Sequence, residues 1–167
     1  GRLAPSLAAA VEQHPGRIYP LPAVRPDDLM PWTASADVSF VGQPPRTLNQ
    51  RMNLPNKLFE SIMAGVPVVV SEGNEQCRLT TDEGIGVCVD IDDPAAVAAA
   101  CAELLAVPLG ELRALRVHCR EVALSRYTWD HTAVGLVELY RKLAREALPA
   151  AGHSIRSGAS PRAEDAA

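Results

Sequence analysis

The chain has 167 residues, of which 47% are apolar and 22% charged, with a net charge of −4. That length suffices for one domain with a sizeable core, and the acidic balance argues against a general nucleic-acid binder, which shows a basic face. Aromatic residues, at 4%, are too few for a base-stacking platform.

The chain opens without Met and runs at once into helical spacing, so a fragment whose earlier part is missing is expected. Leu3, Leu7 and Val11 form one stripe of a helix over residues 3–13. His14-Pro15-Gly16 stops it. Residues 17–21 are a short strand candidate, and Pro26-Asp27-Asp28 opens a second helix that runs to Ala34. Residues 37–41 (DVSFV) read as a short apolar strand, followed by a long loop over 42–54. A helix beginning at Pro55 ends near Gly65, and residues 67–71 (PVVVS) are an apolar run of the kind buried in a parallel sheet. A short helix over 74–81 and a strand over 85–89 (IGVCV) come next.

From there the chain turns helical. Asp93-Pro94 suits a start, with Asp as cap and Pro at the first helical position. Val97, Cys101, Leu104 and Leu105 make its stripe. Pro108 opens another helix facing inward through Leu112, Leu115, Cys119 and Val122. Thr128 is a candidate cap for the last, over 129–147, with Ala133, Leu136, Val137, Tyr140 and Leu143 on one side. Four short strands alternating with helices predict right-handed βαβ crossovers and a doubly wound, Rossmann-like parallel sheet over residues 1–147. Residues 148–167, rich in Pro, Gly, Ser and Ala without periodicity, read as a disordered tail.

The four cysteines show no CxxC spacing and the four histidines are scattered. Buried reduced thiols and no metal site are expected. No apolar run approaches 18 residues and no signal-peptide pattern opens the chain, so a cytoplasmic location is expected. The adjacent acids Asp82-Glu83 and Asp92-Asp93 read as turn and capping residues.

The informative stretch is NLPNKLFESIMAGVPVVVS, residues 53–71. The loop before it is longer than unstructured connections usually are, and holds Arg46 and Arg51 but no acid. Such loops at strand C-termini form the ligand crevice of an open α/β sheet. The free amides of the following helix make an anion site. Lys57 in the first turn is disfavoured by the helix dipole, and a bound phosphate reverses that sign. Glu60, one turn in, leans back toward the same place and suits two hydroxyls of a sugar. Phosphate on amides and Lys57, with a ribose diol on Glu60, describes a nucleotide or a nucleoside diphosphate sugar. The plain alternative is a surface pair three residues apart, worth about 0.2–0.5 kcal/mol.

Leu54-Pro55-Asn56-Lys57-Leu58-Phe59-Glu60 and Ala64-Gly65-Val66-Pro67-Val68-Val69 resemble the donor-binding segment of the retaining, nucleotide-sugar-dependent glycosyltransferases of the group 1, family-four type, which have the GT-B fold. Within that group the resemblance is to the LPNKLFE subgroup. PDDLMPWTASADVSFV, EGIGVCVDIDDPAAVAAACAELL and RYTWDHTAVGLVELYRKL look like the family's flanking segments, so the resemblance spans about residues 16–145. It implies a C-terminal, donor-binding lobe, with Glu60 on the ribose and the backbone of Leu54, Pro55, Asn56 and Lys57 near the phosphates. The broader family pattern has a second glutamate eight positions earlier, where this chain has Met52. Asn53 is a candidate for the sugar contact in its place, or else a helix cap.

The reaction implied moves a sugar from a nucleoside diphosphate to an acceptor hydroxyl, without cofactor and independent of metal. The acceptor, whether sugar, lipid or small molecule, is left open. This chain alone is expected to be inactive, because catalysis takes place between two lobes and the N-terminal one is missing. The full-length parent is allowed a peripheral membrane location. The rival readings are a sugar-nucleotide epimerase of similar architecture, a non-catalytic nucleotide-binding domain, and a plain interaction domain.

Overall fold

A computed structural model describes residues 4–147. Two helices, α1 (Pro5–Gln13) and α2 (Pro26–Ala34), precede the first strand, β1 (Ser39–Val41). Helices α3 (Leu48–Met52) and α4 (Asn56–Met63) lead to β2 (Val68–Ser71), and α5 (Glu75–Glu83) leads to β3 (Gly86–Val89). Helices α6 (Pro94–Ala106), α7 (Leu109–Arg126) and α8 (Trp129–Ala147) follow. The strands are parallel in the order β1-β2-β3, with Phe40 beside Val69 and Val69 beside Val87.

Alternation along β2 divides the core. Val68 and Val70 pack with Leu58 and Ile62 of α4, Leu79 of α5 and Cys119 and Val122 of α7. Val69 faces the other way, onto Ala100 and Leu104 of α6. All three valines are wholly buried, each contributing about 1.5–3 kcal/mol. Helices therefore cover both faces of a parallel sheet, which is the doubly wound class expected from the sequence.

Two helices of this region start on side-chain caps. Asn74 accepts the Cys77 N–H at the start of α5, and Asp93 accepts those of Ala95 and Ala96 at the start of α6. Helix α4 stops where Gly65 takes φ +70, and a Cβ there would stand 3.0 Å from the Arg116 carbonyl. Arg116 donates to the carbonyls of Ala34 and Ala36 behind α2, and Arg120 donates to Met63 at the end of α4.

Five expectations are corrected. Residues 17–21 form no strand, because Pro20 and the following Pro22 each lack a ladder N–H. Three strands rather than four therefore make up the sheet among the described residues. The 42–54 loop contains α3, held by a capping box between Thr47 and Gln50. Cys77 and Cys88 are joined as a disulfide, whereas Cys101 and Cys119 are free; α5 and β3 bring the pair to a Cα–Cα separation of 5.5 Å, which sequence spacing does not report. On α6, Leu105 is exposed and Ala100 takes the core position. Leu3 and the tail over residues 148–167 lie outside the described residues.

The chain divides into two compact units at Tyr127. The first holds the sheet and α1–α7. The second contains α8, a helix of 19 residues. Its first turn is closed by the Thr132 N–H on the Thr128 carbonyl at 3.1 Å, while Thr128 Oγ1 meets His131 Nδ1 at 2.8 Å instead of capping a backbone amide. No single helix among the described residues is long and apolar enough to cross a membrane.

Candidate functional site

The C-terminal end of β1 and the N-terminus of α4 enclose a cleft of ≈ 570 Å³ lined by Phe40, Val41, Gly42, Gln43, Asn53, Pro55, Asn56 and Lys57. That volume is in the range of small-molecule sites. The position is the one a parallel α/β sheet dictates, outside the carboxyl ends of its strands.

Helix α4 begins without a side-chain cap: its N-cap is Pro55, which has no N–H and no capping oxygen. The Leu58 N–H bonds the Pro55 carbonyl at 3.0 Å. The N–H groups of Asn56 and Lys57 have no acceptor among the described residues. Two orphan amides at the positive end of a helix dipole thus open onto the cleft, and attract an anion. The local sequence explains why the helix forms despite this: Leu58 and Ile62 are both wholly buried on its inner face, so packing rather than capping holds it.

Lys57 is exposed and Glu60 half-buried. No ion pair joins them, or ties either to another residue, among the described residues. The surface-pair alternative therefore has no contact behind it. Lys57 lines both the main cleft and a smaller one of ≈ 220 Å³, shared with Leu29, Thr33, Ser39, Phe40, Val41, Glu60 and Ser61. Glu60 and the amides of Asn56 and Lys57 are thus reached from neighbouring hollows with Lys57 between them.

The remaining expected residues divide. Asn53, Pro55 and Asn56 line the cleft. The side chain of Leu54 packs against the core instead. Asn53 does not cap α4; its Nδ2 donates to Gln43 Oε1 at 2.8 Å. Arg46 and Arg51 are absent from the cleft lining. Arg46 pairs with Asp92 at 3.0 Å, and Arg51 Nε donates to the Pro45 carbonyl at 3.0 Å, so both fasten the loop. Sequence reasoning missed Gln43. Its position immediately past β1 was the available signal.

A sequence profile of the family described as glycosyl transferases group 1 matches residues 1–107. This chain belongs to that family. No curated protein matches it. Among solved structures, the group 1 chain is similar to sucrose-phosphate synthase from Thermosynechococcus elongatus, with a TM-score of 0.70 and 22% identity. The match covers 84% of this chain and 34% of that one, so this glycosyl transferase chain spans about a third of the solved relative. At that identity the likeness concerns the fold, and it agrees with the GT-B lobe expected from the resemblance.

Proposed function

We propose that this group 1 chain supplies the donor-binding lobe of a glycosyltransferase that moves a sugar from a nucleoside diphosphate to an acceptor hydroxyl. The observation that carries the reading is the uncapped N-terminus of α4, whose two unpartnered amides open into the cleft that Lys57 lines. In this reading the diphosphate lies on the amides of Asn56 and Lys57 and on the Lys57 ammonium. Glu60 accepts hydroxyl hydrogens of the ribose. Asn53 and Pro55 wall the cleft, and Leu54 anchors the segment to the core. The bond from the sugar's anomeric carbon to the diphosphate breaks as the acceptor oxygen arrives. Negative charge then grows on the leaving group, where preorganised amides and an ammonium stabilise it. These groups supply the positive charge without a metal ion. The acceptor sits on a second lobe facing this one. Membership of a transferase family favours transfer over epimerisation.

The test is thermal melting of wild type and Glu60→Ala with millimolar UDP, GDP or ADP. One nucleotide at 100 times its Kd adds about 2.7 kcal/mol of stability. Stabilisation by one base, reduced in Glu60→Ala, supports the donor site. No response to any nucleotide overturns it.

A further inference from the structure

Three carboxamides meet beside the cleft. Gln43 Oε1 accepts Asn53 Nδ2 at 2.8 Å and Gln76 Nε2 at 3.4 Å. The Gln43 backbone is held too: its N–H donates to Ser71 Oγ at 2.6 Å, and its carbonyl accepts Asn74 Nδ2 at 3.4 Å. Gln76 is wholly buried, and its Oε1 has no partner. The segment after β1, the loop before α4 and the first turn of α5 are thus fastened at one residue.

Because Gln43 Oε1 takes both bonds, Gln43 Nε2 and Asn53 Oδ1 make no hydrogen bond among the described residues. Neither is among the buried atoms left without a partner, which are Gln76 Oε1 and Thr80 Oγ1. Both therefore meet open space, in residues that line the cleft. Turning the Gln43 amide over alone would set N–H against N–H at Asn53 and at Gln76, so the three amides turn only together, and in either arrangement Gln43 and Asn53 leave one donor and one acceptor unused between them.

We propose that Gln43 and Asn53 are specificity residues that bind a hydroxyl of the transferred sugar, with Gln76 as a positioning residue behind them. This rests on the donor-site reading above. A hydroxyl both donates and accepts; Asn53 Oδ1 takes its hydrogen while Gln43 Nε2 donates to its oxygen. The order of the hollows fixes which end of the donor arrives there. Lys57 lies between the Glu60 hollow and the Gln43–Asn53 cleft. With the diphosphate at Lys57, a ribose directed to Glu60 leaves the sugar for the two amides. The pair is neutral, so it adds no repulsion beside the diphosphate.

The experiment is calorimetric titration of the full chain with UDP, GDP and ADP, and with UDP-glucose, GDP-mannose and ADP-glucose. Wild type is compared with Asn53→Ala, Gln43→Met, Gln76→Met and Glu60→Ala. The expected readout is the ratio of sugar-form to bare-diphosphate affinity, which falls roughly fivefold to tenfold in Asn53→Ala and Gln43→Met; the ratio cancels any loss that a loosened loop imposes on both ligands alike. Gln76→Met lowers the same ratio, which a merely structural loss would not do, because that weakens both ligands together. Should Gln76→Met fail to fold, the two cleft variants decide. An unchanged ratio in both overturns this proposal and leaves the donor site standing. Failure of wild type to bind any of the six compounds overturns the donor site itself, and this proposal with it.

Discussion

Lys57 carries a testable conflict within one side chain. It stands in the first turn of α4 without an ion pair among the described residues, where the dipole makes a cation unfavourable. Replacing it with glutamine should raise the stability of the free chain by a few tenths of a kcal/mol, the low end for an exposed site. The same change should weaken nucleoside diphosphate binding by about tenfold, since a charge-assisted contact to phosphate is lost. Melting curves of Lys57→Gln with and without the nucleotide read both signs at once. A residue that is only surface charge would show the gain in the free chain and leave the response to nucleotide unchanged. The places of Lys57 and Glu60 on α4, beside the cleft, were legible in the sequence because they follow from spacing within a single helix. Gln43 was not, because its partners Asn53, Ser71, Asn74 and Gln76 come from separate segments and meet only when the sheet forms. Of the two readings of Asn53, the helix cap failed for the same reason: a cap is a local inference, whereas the bond to Gln43 is a tertiary one.

Between elements, two glycines and one hydrogen-bonded pair carry more than their sequence neighbours suggest. A Cβ on Gly86 would run into the backbone of Val68 on the neighbouring strand. Gly86→Ala should cost more than about 2 kcal/mol in urea denaturation, because backbone on both sides must shift. Gly65→Ala adds a positive-φ penalty of about 1–2 kcal/mol to the close approach of α7. At the far end of α7, Tyr127 OH donates to Glu83 Oε1 at 2.7 Å, beside Arg126 at 2.8 Å. The Tyr127 hydrogen bond, aided by Arg126 against the opposing effect of burial, holds the Glu83 carboxyl below its ordinary range. A depressed carboxyl contributes stability that is present above the unfolded value, about 4.3, and is lost as pH falls through the folded value. Burial, and then the bond to Glu83, pushes the Tyr127 hydroxyl up to about 12. Its contribution is complete below about 10 and lost as pH rises through the folded value. Tyr127→Phe should therefore flatten the decline of the melting temperature at both extremes, while lowering it near neutrality. Equal pH profiles for the two proteins would refute the coupling.

At the scale of the molecule, hydrophobic patterning identified the βαβ class and helices on both sheet faces, because buried valine runs and helix caps are written locally. It overstated the strands at residues 17–21 and could not report that Cys77 and Cys88 meet, since the pairing depends on where α5 lies against β3. That disulfide bears on the expectation of a cytoplasmic setting, where thiols are kept reduced. It closes a loop with a sequence separation of 11, and chain-entropy reasoning gives it roughly 2–3 kcal/mol. The contacts that fasten the cleft run from Asn74 and Gln76 to Gln43 and not through sulfur. Reduction should therefore lower the stability of the whole chain by about that amount and leave nucleotide stabilisation intact. Cys77→Ser with Cys88→Ser should match the reduced wild type and be indifferent to dithiothreitol. The measurement is melting of both proteins with and without dithiothreitol, each with and without the nucleotide that binds. If reductant leaves the free wild type unchanged, the pair does not bridge in solution. If it abolishes the nucleotide response, the bond belongs to the machinery of the site, and a reducing compartment would silence donor binding.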